Sequence, residues 1–275
     1  MKVKLFLVTV FFLSLSCRHL FSQAIYQLDW ADEFNGETLD SSKWDYQLGT
    51  GSSEGLRYWG NEEKQYYTKE NVRLEDGMLI ITAKKEDKNE MAYTSGRLLT
   101  RGNYATLFGR IEARIALPKG TGLWPAFWML PQDSPYGGWA ASGEIDIMEA
   151  KGRLPEYYSG AIHFGGRWPR NQHTTTGSYC FPDSGTIEDF HVYAVEWTDK
   201  QITWLCDDKI VGKVTEWKSE NNPFPAPFDV PFYIVLNLAV GGLFDGSREP
   251  APSFTSAEMK VDYVRVYKPS PLLGQ

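Results

Sequence analysis

Period-two alternation of apolar and polar side chains, repeated in short bursts, is the feature that most restricts what this chain can fold into. In "GRIEARIALP", Ile111, Ala113, Ile115 and Leu117 fall on one side and Arg110, Glu112 and Arg114 on the other. Residues two apart share a face of a strand, so the segment is a strand with one face in a core. "HVYAVEW", "ITWLCDD", "PFYIVLNLAV" and "MKVDYVRVY" are further short strands, set off by Gly, Pro, Asn and Asp turns. Helical periodicity is nearly absent. Many strands, each with a face to bury, predict an all-β sandwich of two packed sheets. From about Leu28 onward there is no long linker, low-complexity tract or repeat, and residues 25–275 read as a single domain. "ENNPFPAPFD", with Pro223, Pro225 and Pro227, reads as a surface loop.

Residues 1–24 are of a different kind. Lys2 and Lys4 precede the apolar run Leu5 to Leu15, the pattern of an export signal and too short for a membrane-spanning helix. Two processing routes fit. Ser22-Gln23-Ala24 is a small-x-Ala cleavage site, which yields a soluble exported protein. "LSLSC", ending at Cys17, has the form of a lipoprotein box and yields a lipid-anchored one. By either route Cys17 lies outside the folded domain, leaving Cys180 and Cys206 as a disulfide or as two separate buried thiols.

"GEIDIMEA" then raises a question of chemistry. Glu144, Asp146 and Glu149 are separated by Ile145, Ile147 and Met148. A solvated strand would alternate acids with Lys, Ser or Thr, and a calcium site would draw oxygens from bent loops. Apolar separators instead wedge the strand into a core, and acids held there repel one another and raise at least one pKa. Retaining glycoside hydrolysis needs two carboxyl groups about 5–5.5 Å apart. Glu144 and Glu149 form such a pair only if Glu149 shares the face of Glu144, which a regular pleat forbids. One extra residue, a β-bulge at Ile147-Met148, restores the phase. Four regular steps still separate the backbones by about 13 Å, so strand curvature and long side chains must close the gap. Asp146, between them, is placed to hydrogen-bond Glu144.

E-I-D-I-M-E resembles the active-site strand of glycoside hydrolase family 16, the laminarinase and lichenase β-jelly rolls. "WADEFNG", "WGNEEKQYYT", "GRIEARIALPKGTGLWPAFWML", "FHVYAVEWT", "LNLAVGG" and "VDYVRVY" resemble family segments in family order. The resemblance implies two curved antiparallel sheets around a concave substrate cleft, with Glu144 as nucleophile, Asp146 as its assistant and Glu149 as acid/base. It implies substrate contacts by Asn61, Arg97, Trp124, Trp128, Trp139 and His163. It also implies a structural calcium near Glu33, Gly77 and Asp262. Members with the inserted Met are typically β-1,3-glucanases, some also cutting mixed-linkage chains, while strict lichenases read E-I-D-I-E. "WAASGEID" lacks the Cys or Pro common before the motif in laminarinases, which leaves the substrate preference open.

Composition narrows the alternatives. The net charge of −7 opposes nucleic acid as a partner. Aromatic residues reach 15%, with 10 Trp, an excess that suits platforms for sugar rings as well as core filling. Only 4 His, none in HxxxH or HxH spacing, speak against a catalytic metal. The expected protein is therefore an exported, monomeric endo-β-glucanase acting on β-1,3 or mixed β-1,3/1,4 chains, without a catalytic cofactor. Two alternatives remain: hydrolysis of another polysaccharide such as a sulfated galactan, and glucan binding without catalysis.

Overall fold

The computed structural model describes residues 26–270; the expected export signal at residues 1–24, with Cys17, lies outside them. In chain order the strands are β1 (Tyr26–Asp32), β2 (Asp45–Tyr46), β3 (Gln65–Tyr67), β4 (Val72–Glu75), β5 (Met78–Lys88) and β6 (Met91–Ser95). Next come β7 (Arg97–Leu99), β8 (Gly109–Ala116), β9 (Leu123–Pro131), β10 (Glu144–Glu149), β11 (Tyr157–Gly165) and β12 (Asn171–Thr175). The last six are β13 (Tyr179–Cys180), β14 (His191–Trp197), β15 (Ile202–Cys206), β16 (Lys209–Val214), β17 (Phe232–Val240) and β18 (Ser256–Pro269). Short 3-10 turns are the only helical elements among the described residues, none long and apolar enough to cross a membrane.

Two sheets form the expected sandwich. One runs β16-β15-β14-β8-β18-β5-β6-β3, with β1 beside β18 and β4 beside β5. The other runs β12-β11-β10-β9-β17-β7-β2, with β13 beside β11. Pairing is antiparallel except between β3 and β6. Alternation explains the layers. Ile111, Ala113 and Ile115 of β8 are fully buried, and they share one core with Ile145, Ile147 and Met148 of β10. Ile234, Leu236, Leu238 and Val240 of β17 complete the facing layer.

The outer face of the second sheet is also covered. Arg97 is 7% and Asn237 4% exposed, although both point away from the core. Loops must therefore wall this face into a cleft. Two expectations need correction. Cys180 and Cys206 are unpaired, but only Cys206 is buried; Cys180 is exposed. The proline-rich segment is no simple surface loop, because Ala226 and Phe228 are buried and Trp217 packs edge-on to Phe228 at 5.3 Å.

Candidate active site

β10 sits third from one edge of its sheet, between β11 and β9. Its register slips between Asp146 and Met148 against β9, and between Asp146 and Glu149 against β11. The extra residue turns Ile147 and Met148 both into the core and returns Glu149 to the face of Glu144 and Asp146. The bulge inferred from the acid spacing is thus present.

Cross-strand neighbours shape the space above the acids. Glu144 lies opposite His163, Asp146 between Ala161 and Trp128, and Glu149 between Ser159 and Ala126. Small residues flank Glu149 on both sides and Asp146 on the β11 side, leaving volume for a ligand. Gly160 faces the core beneath them. A Cβ there would lie 2.3 Å from the Trp204 ring, whose indole N–H donates to the Asp146 carbonyl at 2.8 Å. Glycine at this position lets a core tryptophan pin the bulged strand from below.

Each outer acid has its own indole donor. Trp139 Nε1 donates to Glu144 Oε2 at 2.9 Å, and Trp124 Nε1 to Glu149 Oε1 at 2.9 Å. Trp124 is buried and stacks one ring face on Phe244 while its N–H holds Glu149. Trp139 is 44% exposed. His163 Nε2 lies 3.3 Å from Asp146 Oδ2 and 3.7 Å from Glu144 Oε1. Asp146 therefore turns toward His163 rather than hydrogen-bonding Glu144, because the imidazole relieves charge that a second carboxylate would add to.

Burial, reinforced by Asp146, pushes the Glu144 carboxyl up to about 8. Burial also drives Glu149 well above the carboxylate range, with further push from Asp146 and Glu144. Burial pulls His163 down, but the three acids outweigh it and lift it to about 9, so it is a cation at neutral pH. Both His163 and the Trp139 N–H favour the charged form of Glu144. Glu144 has an imidazolium within 3.7 Å, whereas Glu149 has no ion-pair partner among the described residues, which suits the first to carry charge and the second a proton.

A buried polar chain that was not read from sequence runs under the cleft floor. Gln65 Nε2 (2.6 Å) and Tyr67 Oη (3.1 Å) donate to Glu63 Oε2. Asn237 Nδ2 donates to Tyr67 Oη at 3.1 Å, and its Oδ1 accepts from Trp128 Nε1 at 2.7 Å. The Arg97 guanidinium lies between the Trp59 and Trp128 rings, 4.5 and 4.8 Å from their centroids. Asn61 closes this end, its carbonyl accepting from Leu243 N at 2.8 Å. The signal in the sequence was Glu63 inside "WGNEEKQYYT": an acid at a core-parity position between aromatics needs a buried partner.

Arg97, Trp128, His163 and Trp139 thus gather along one face with the acids, and Asn61 beside Trp124. Glu33, Gly77 and Asp262 lie apart from the cleft. Arg265 grips Glu33 at 2.7 and 2.8 Å, and Arg114 holds Asp262 at 2.7 Å. Each of the two carboxylates thus has an arginine partner, and any cation held here would share them with Arg265 and Arg114. Ligand atoms of Glu144, Asp146 and His163 lie within 4.8 Å of one another, as do those of His191, Cys206 and Asp207. In the first set the His163 proton supplies the positive charge; in the second, His191 contacts Asp207 at 2.7 Å and the Thr186 carbonyl at 3.1 Å.

A sequence profile described as glycosyl hydrolases family 16 matches residues 60–265. A glucan endo-1,3-beta-glucosidase A1 of Niallia circulans is 51% identical over 88% of this chain, which spans 38% of that protein. A beta-glucanase of Rhodothermus marinus is 41% identical over 88% of this chain and 85% of its own length. The X-ray structure of an endo-beta-1,3-glucanase from Pyrococcus furiosus superposes with a TM-score of 0.79 at 41% identity, covering 88% of this chain and 94% of that one.

Proposed function

The chain belongs to glycosyl hydrolase family 16, and on that premise we propose that it is an endo-acting, retaining β-glucanase cutting β-1,3-linked or mixed β-1,3/1,4-linked glucans. The observation that carries the proposal is the bulge on β10, which puts Glu144 and Glu149 on one face in unlike surroundings. Glu149, its carboxyl pushed up by burial and by Asp146 and Glu144, donates its proton to the glycosidic oxygen as the C1–O bond breaks. Glu144 attacks C1 from the opposite face and forms the glycosyl ester, its negative charge favoured until then by Trp139 and His163. Esterification removes the Glu144 charge that had been raising the Glu149 pKa. Glu149 can now take a proton from water, which attacks C1 and releases Glu144 with net retention.

Asp146 and His163 act on Glu144 without touching the sugar bond. His163 balances the charge of the trio, and Asp146 keeps His163 protonated. Trp128, Arg97 and Asn61 line the long side of the cleft floor toward β7, Trp139 and His163 the short side. β9, β17, β7 and β2 lie on one side of β10 and β11, β12 and β13 on the other, and the longer part of the sugar chain rests over β9, β17 and β7. Export forms part of the same proposal, because a polysaccharide too large to enter a cell must be met outside it.

Reducing-end release on laminarin, barley β-glucan and carboxymethyl-cellulose, with early products sized by chromatography, is the test. Oligosaccharides from the first two and nothing from cellulose are expected. Strong cellulose hydrolysis, or monosaccharide as the sole early product, would overturn the reading.

A further inference from the structure

The β11–β12 hairpin that carries His163 beside the acids also carries the most exposed large apolar side chain among the described residues. Trp168, at its tip, is 76% exposed. Its indole meets no ring, cation or hydrogen-bond partner among the described residues. The tip itself is held firmly. Arg170 N donates to the Arg167 carbonyl at 2.8 Å, Glu220 N to the Gly165 carbonyl at 3.0 Å, and Arg170 pairs with Glu220 at 3.0 Å. On the other flank Arg167 packs so close to Gly137 that a Cβ there would meet its Nε at 2.8 Å. Gly137 belongs to the loop that presents Trp139, whose N–H holds Glu144. Trp168 therefore stands on a hydrogen-bonded base beside the loop of Trp139, joined to it through the Arg167–Gly137 contact. It lies five positions after His163, at most roughly 17 Å of extended chain.

An isolated indole in water leaves a large apolar face unburied, and a fixed scaffold beneath it removes the entropy that would otherwise oppose its use in binding. The face of an indole matches the C–H face of a pyranose. We propose that Trp168 is a stacking platform for the part of a β-glucan chain that leaves the cleft past Trp139, a binding site additional to the cleft floor. This rests on the glucanase reading, since continuity with the Trp139 wall selects a glucan as the occupant.

Length of substrate separates this role from catalysis. Trp168→Ala is expected to raise KM on polymeric laminarin about three- to tenfold, the value of one aromatic contact, with kcat unchanged. On the shortest β-1,3-gluco-oligosaccharide that the wild type cleaves, the variant should match the wild type. Trp168→Tyr should restore most of the loss on polymer. Ile210→Ala removes a similarly exposed side chain, 69% accessible on β16 of the other sheet, and should change neither substrate. Equal KM for wild type and Trp168→Ala on polymer would overturn the platform and leave the glucanase intact. Equal losses on long and short substrates would overturn it too, by showing that Trp168 merely supports the Trp139 loop. A wild type that cleaves no β-glucan would remove the function and the platform together.

Discussion

On β8, Glu112 is buried in the company of cations and hydroxyls. Arg110 binds it at 2.7 Å and reaches Asp208 at 2.6 Å and Glu196 at 3.3 Å, while Tyr263 and Tyr267 donate at 3.4 Å. On β10, which packs its apolar face into the same core, Glu144, Asp146 and Glu149 crowd together, and His163 is the one cation in ion-pair range of them among the described residues, reaching Glu144 and Asp146. Two strands of one sandwich therefore treat buried carboxylates in opposite ways. Matched charge holds the fold together; unmatched charge is stored proton affinity. Only the second kind can hand a proton to a substrate.

The widest separation between the two strands should appear in activity. Glu144→Ala should lower kcat by about 10⁴ or more, and Glu149→Ala by about 10²–10⁴, with the fold retained. Azide should rescue the first as an α-glycosyl azide and the second as a β-glycosyl azide. The reverse stereochemistry would exchange the two roles, and wild-type rates in either variant would end the comparison.

Stability should move in opposite directions. Arg110→Ala strips a buried carboxylate of its partner, and urea unfolding should show a loss of about 3 kcal/mol with kcat little changed. Glu144→Gln should stabilise, and the sign follows from linkage. The folded-state pKa of Glu144 is raised to about 8, above its ordinary 4.5, so the folded protein holds this proton more tightly than the unfolded chain. The native stability it contributes is present at low pH and is lost as pH climbs from 4.5 toward 8. The variant should match the wild type below that window and exceed it above, by about 2–4 °C in Tm for each kcal/mol regained. A pH-independent difference, or a lower Tm for the variant at pH 9, would contradict the account.

His163→Asn gives the subtlest contrast. Removing the cation removes a factor that lowers the Glu144 pKa, so the acid limb of the kcat/KM profile should move to higher pH. An unmoved limb would show that His163 fills space and nothing more.

Much of this protein was legible as a string. Alternation in Gly109–Pro118 and the strands after it determined the two-layer sandwich, because period-two patterning leaves each strand one face to bury. The odd spacing of Glu149 determined the bulge, since an acid could not otherwise share the face of Glu144 between residues that must go inward. What tertiary structure alone decided is the company each side chain keeps. Which way Asp146 leans depends on His163 across a strand boundary, and Trp124 meets Glu149 and stacks on Phe244, far along the chain. Glu63, Tyr67, Asn237 and Trp128 are distant in sequence, and only strand order brings them into one chain of hydrogen bonds. Arg265 and Arg114 meet Glu33 and Asp262 for the same reason. Faces are local and follow from the covalent chain; partners are non-local and follow from which strands meet, which no short stretch of sequence encodes.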